Sequence, residues 1–251
     1  MAVRPTADQF TPYGPSHLTA LLVLVVGALA LVAVGRRWRD RDPADRLGKL
    51  LAVAILATTV LPQAVYFTPG QWKPYATLPL QLCDWAALVS VYALWSHRWW
   101  AAALTYYWGL FLTTQAIATP DLRPEFPDLD FLLFWSMHIA TVWAAVYLTF
   151  GRGIVPDWRG YRFVTSLTAA WAVSVFCLNV VLDSNYGYLN GRPNAPTVLD
   201  LLGPWPWYVL AEMAILLGGW ALATWPWVRG RAGGDRTGSG HRTQGSRVAR
   251  G

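Results

Sequence analysis

The sequence predicts an all-α polytopic membrane protein of seven transmembrane helices, N-terminus out and C-terminus in. Three observations carry that fold class. First, 55% of the 251 residues are hydrophobic and only 14% are charged, with a mean hydropathy of +0.31, too apolar for an ordinary soluble domain. Second, the chain holds repeated apolar runs of about 17–22 residues, the length a bilayer requires. Third, its basic residues are distributed asymmetrically around those runs. The sixteen Trp and eleven Tyr suit aromatic belts at both interfaces.

Residues 1–16 are polar and rich in Pro and Gly, an extracytoplasmic N-terminal segment, and the first span follows from His17 to Val34. Ala28-Leu29-Ala30 resembles a cleavage site, but Arg36-Arg37-Trp38-Arg39 follows as a stop-transfer block, so an uncleaved helix is expected. Leu47–Phe67 forms the second span, Leu78–Trp95 the third, Trp99–Thr119 the fourth, Phe131–Phe150 the fifth and Phe163–Leu182 the sixth. A long Asn/Gly/Pro loop, Asp183–Gly203, leads to Pro204-Trp205-Pro206, which starts a seventh span ending near Trp227 because proline is tolerated in a first helical turn. The membrane domain is therefore 17–228, and the Gly/Arg/Ser-rich 229–251 reads as a disordered basic cytoplasmic tail.

Fifteen Lys and Arg residues lie in the loops after spans one, three and five and in the tail. Four (Arg4, Lys73, Arg123 and Arg192) lie in the N-terminus and the other loops. That bias sets the orientation and the location, a multi-pass protein of the cytoplasmic membrane. The net charge of +6 belongs to this topology, and with no accompanying binding motif nucleic acid is not an expected partner. Membrane lipids are the expected surroundings and a candidate substrate.

With orientation assigned, polar residues inside the spans fall at one depth. Cys83 lies ~8 Å and His138 ~10 Å below the outer ends of their helices at ~1.5 Å per residue. Gln63, Gln115, Asn179, Glu212 and His17 lie in the outer third of theirs. Taken singly, such residues have ordinary roles: a buried Cys is a small hydrophobe, and Gln, Asn and His often join helices by hydrogen bonds. Their shared depth predicts a polar pocket open to the outer leaflet, where intramembrane ionisable groups usually face. Asn179 and Asp183 share a helix face, whereas Cys177 is about 200° from Asn179 at 100° per residue and points away. Cys83 with His138 suits a nucleophile–base pair in which imidazole takes the thiol proton. No cofactor motif occurs, and no metal site is expected because His17 and His138 lack a nearby ligand at helical spacing.

Several segments together resemble the YwaF-like family of bacterial integral membrane proteins: Leu78-Pro79-Leu80-Gln81-Leu82-Cys83, Tyr107-Trp108-Gly109 through Gln115, Thr119-Pro120-Asp121-Leu122, Phe134–His138, Asn185-Tyr186-Gly187-Tyr188-Leu189 and Leu199–Tyr208. That family resembles eukaryotic transmembrane acyltransferases that move fatty acyl chains between phospholipids with a cysteine and a histidine. It is also similar to membrane hydrolases of fatty-acyl lipids that use threonine in place of cysteine. The resemblance implies Cys83 as nucleophile and His138 as base, with Gln81, Gln115 and Glu212 as a supporting shell and His17 at a position where the family tends to have histidine. The chain departs from many relatives in carrying Gln81 where they have His. The expected activity is lipid acyl hydrolysis or transfer, with Asn179 as a further hydrogen-bond donor and Arg192 as a candidate phosphate contact or an ordinary loop charge. A small-solute transporter and a non-enzymatic lipid-binding or sensor protein are the alternatives.

Overall fold

The computed structural model describes residues 9–39, 41–193 and 197–238, with side chains to Gly230. Helices α1 (Pro15–Arg37), α2 (Asp42–Tyr66), α3 (Leu82–Ser96), α4 (Trp99–Tyr107), α5 (Thr113–Ala118), α6 (Leu129–Val146), α7 (Trp158–Leu182) and α8 (Trp207–Gly238) account for the architecture. A π-helical turn, Trp108–Leu112, joins α4 to α5 in one rod, and a second, Tyr147–Gly151, extends α6. No strand is present among the described residues beyond a single bridge between Gln9 and Pro124. The predicted tail begins inside α8, which runs on to Gly238, and 239–251 lies outside the described residues.

Among the described residues, five helical segments are long and apolar enough to cross a membrane: Pro15–Arg37, Asp42–Tyr66, Leu129–Gly151, Trp158–Leu182 and Trp207–Gly230. The expected third span is shorter than the sequence suggests. Residues 78–81 stay outside α3 because Pro79 restrains its neighbour and the Leu78 N–H is taken by the Tyr186 hydroxyl at 2.9 Å. The expected fourth span is a continuous helical rod from Trp99 to Ala118, divided by its π turn, whose Thr113 hydroxyl donates to the Trp108 carbonyl at 3.1 Å.

Helix α6 is the buried centre, presenting Phe131, Trp135, His138, Ile139 and Ala144 to neighbours on several sides. By contrast α1 buries only His17, Ala20 and Gly35 and turns Leu22, Val26 and Leu29 outward. In water such a face would be unfavourable by about 25 cal/mol per Å² of apolar area; against lipid chains it is neutral. At the loop end near α2, the Tyr147 hydroxyl donates to the Ala44 carbonyl at 2.5 Å and Arg152 pairs with Asp45 at 2.7 Å.

Close approach seats α1 on α6. A Cβ on Gly27 would lie 2.0 Å from Trp143 Cζ2, and the Trp143 indole N–H donates to the Leu24 carbonyl at 2.8 Å. Gly27→Ala is therefore expected to lower stability by roughly 1–3 kcal/mol through overpacking. Gly218→Ala, where nothing lies within 4 Å, should leave the detergent-solubilised melting curve in place.

Candidate functional site

A cavity of about 210 Å³ lies between the start of α3, α5, α7, α8 and the loop that follows α7. Gln81, Cys83, Gln115 and Glu212 all line it, together with Thr168, Trp171, Tyr188 and Tyr208. Most of the wall is otherwise aliphatic, from Leu82, Leu112, Val209 and Leu216 among others.

Each polar group reaches the cavity for a local reason. Gln81 is the extended residue preceding α3, and its Oε1 accepts the Gly187 backbone N–H at 2.9 Å. Cys83 sits in the first turn of α3 as a free thiol. Gln115 Nε2 donates to Glu212 Oε1 at 2.9 Å, joining α5 to α8. A carboxylate inside a membrane domain needs such a partner, since a bare one is costly there.

Described residues of the loop after α7, Gly187 to Leu189 among them, form one side of the cavity, and Asn179 holds this segment. Asn179 is buried; its Nδ2 donates to the Tyr186 carbonyl and Asn190 Oδ1, and its Oδ1 accepts from Tyr186 N–H and the Ser184 hydroxyl, all at 2.8–2.9 Å. Further ties come from the Tyr186 hydroxyl to the Pro74 carbonyl at 2.8 Å, the Trp205 indole to the Leu189 carbonyl at 3.0 Å, and the Tyr208 hydroxyl to the Tyr188 carbonyl. The Tyr188 phenol donates to Asp121 at 2.9 Å. Burial and then the Asp121 carboxylate raise the Tyr188 pKa, so this hydrogen bond persists well above neutral pH.

The predicted site residues thus divide. Gln81, Cys83, Gln115 and Glu212 share one cavity. Asn179 anchors the loop residues on one side of it, and Arg192 ties the same loop to Asp200 at 3.2 Å and to the Gly203 carbonyl. His17 packs elsewhere: Nδ1 accepts the Tyr13 N–H at 3.0 Å, and the ring stacks on Tyr13 beside Phe10 and Trp135. His138 is buried on α6, its Nδ1 2.7 Å from the Phe134 carbonyl and its ring stacked on Phe134 at 4.1 Å. No hydrogen bond joins His138 to Cys83 among the described residues, and His138 is not on the cavity wall.

Asp84, next to Cys83, opens on a different cavity of about 510 Å³ with Gln63, Asp121, Arg123 and Asp130. Neighbouring residues at the start of α3 thus face two spaces, and the second carries more charged side chains than the first. Cys177 is exposed, as its helical phase predicts, and both cysteines are free. No group of three His, Cys, Asp or Glu side chains among the described residues could hold a metal ion. Thr168, Trp171, Tyr188 and Tyr208 are wall residues that sequence reasoning did not single out. The Asn185–Leu189 motif was the available signal for Tyr188.

Comparison with known proteins places this geometry in context. The TMEM164 family model matches residues 12–224, from the segment before α1 into α8. No curated protein matches the chain. No solved structure matches it either.

Proposed function

The chain belongs to the TMEM164 family of transmembrane proteins, and from that premise we propose that it handles lipid acyl groups, with Cys83 as the acyl acceptor. In this reading all seven helical rods cross the cytoplasmic membrane, the N-terminus lies outside, and the Cys83 cavity opens toward the outer leaflet. The observation that carries the reading is a free thiol on the wall of a mainly apolar cavity that also holds Gln81, Gln115 and Glu212. An apolar wall suits a hydrocarbon chain, and a few convergent polar groups suit the ester at its end.

The chemistry balances within that set. The Cys83 thiol gives up its proton and its sulfur attacks the ester carbonyl. A C–S bond forms, the acyl C–O bond breaks, and the departing alkoxide takes back a proton to leave as an alcohol. Water or a lipid hydroxyl then attacks the thioester, releasing acid or a new ester and restoring the thiol. An amide N–H from Gln81 or Gln115 aimed at the developing oxyanion contributes on the order of 3–4 kcal/mol per donor. Two groups compete for the role of proton acceptor. Glu212 is favoured by its place on the cavity wall, and His138 by the resemblance to acyltransferases that pair cysteine with histidine.

The test uses the full-length protein in liposomes containing a phospholipid with an alkyne-tailed acyl chain. A Cys177→Ser background is needed because Cys177 is exposed on the apolar surface. Hydroxylamine-sensitive label should appear on Cys83 and vanish in Cys83→Ala. Loss of the true proton acceptor, in Glu212→Gln or His138→Gln, should slow labelling about 100-fold, within the range for general-base catalysis. Absence of any hydroxylamine-sensitive label at Cys83 would overturn the reading.

A further inference from the structure

The opposite end of the bundle carries a second feature. The last turn of α1 and the residues after it face the π turn that extends α6, and α8 passes alongside. A cavity of about 390 Å³ lies there, lined by Arg36, Arg39, Thr149, Phe150 and Trp227. Arg36 Nε donates to the Phe150 carbonyl and Arg39 Nε to the Gly151 carbonyl, each at 3.0 Å. These bonds hold two guanidinium planes through their Nε edges; among the described residues neither Nη edge makes a hydrogen bond, and the Arg39 Nη atoms lie over Gly153. Neither arginine forms an ion pair with a carboxylate among the described residues. Phe150 and Trp227, with ring centroids 5.6 Å apart, give the cavity an aromatic side.

We propose that this Arg36–Arg39 cavity binds a phosphate group, either the headgroup of an anionic phospholipid or free phosphate. Two positioned guanidinia match the oxygens of a phosphate through paired N–H donors, a geometry lysine cannot reproduce. Basic pockets between transmembrane helices are also where anionic headgroups lodge. The site is independent of the Cys83 cavity, which lies at the other ends of the helices, so neither result bears on the other.

The experiment measures lipid retention by native mass spectrometry on the full-length protein in detergent. It offers phosphatidylglycerol or phosphatidylcholine with identical acyl chains, or inorganic phosphate without lipid. Wild type should retain phosphatidylglycerol at least tenfold better than phosphatidylcholine. Arg36→Gln/Arg39→Gln should lose that preference, and Arg36→Lys/Arg39→Lys, which keeps the charge and a donor for each carbonyl, should reduce it several-fold. Retention of inorganic phosphate that the glutamine pair abolishes would support the site with free phosphate as its source. Equal retention of the two lipids by wild type together with no phosphate retention would overturn the proposal without reference to any variant. So would an undiminished preference in a glutamine variant that melts like wild type.

Discussion

Asn179→Ala is expected to destabilise the protein by on the order of 3–4 kcal/mol, because a buried amide that makes four hydrogen bonds is removed at about 1 kcal/mol net for each. The cost does not end with those bonds. The Tyr186 N–H and carbonyl lose their partner inside the fold, and a buried polar group without one is unfavourable by itself. Asn179→Asp keeps an acceptor for the Tyr186 N–H and the Ser184 hydroxyl but turns a buried carboxylate oxygen toward the Tyr186 carbonyl and Asn190 Oδ1, so it should destabilise at least as much as alanine. Cys177→Ala, two positions away on an exposed face, should stay within about 0.5 kcal/mol. Melting curves in detergent give the ranking. A normal melting curve for Asn179→Ala would mean that the loop after α7 is held by its other contacts alone.

Asn179 also marks where sequence reading succeeds and where it stops. Its phase relative to Cys177 follows from the helical repeat alone, and the structure buries one and exposes the other. Counting from a helix end places Gln115 and Glu212 near one end of their helices, and both line the cavity; the same count puts Cys83 about five residues into its helix, whereas α3 begins at Leu82 and Cys83 sits in its first turn. Rotation of one helix about its axis relative to another depends on packing, which no local pattern encodes. For that reason the sequence allows Cys83 and His138 to face each other, whereas in the structure Cys83 lines a cavity whose wall does not include His138. Residues 78–81 fail for a related reason. Their apolar pattern suits a helix, but contacts more than a hundred residues away, from Tyr186 and Gly187, hold them outside α3. Helical pattern likewise says nothing of the loop after α7, whose described residues 183–193 are held largely by hydrogen bonds between side chains and backbone.

Gly187→Ala is expected to open the Cys83 cavity. Gly187 has φ +66°, and a Cβ there would lie 2.4 Å from Trp171 Cη2. The left-handed backbone costs an L-residue roughly 1–2 kcal/mol, and the clash adds about 1–3 kcal/mol unless the ring moves. Either response disturbs the cavity, because Gly187 and Trp171 both line it. In a Cys177→Ser background, alkylation of Cys83 by a water-soluble maleimide should rise about tenfold. Gly191→Ala, whose added Cβ would sit at an ordinary 3.6 Å from Asn185 Nδ2, should react like wild type. An unchanged rate in Gly187→Ala would show that the loop does not control access to the thiol. Gln81→Ala removes the acceptor for the Gly187 N–H without adding volume beside Trp171. If both substitutions expose Cys83, the anchoring hydrogen bond closes the cavity; if only Gly187→Ala does, the position of the Trp171 ring is what shields the thiol.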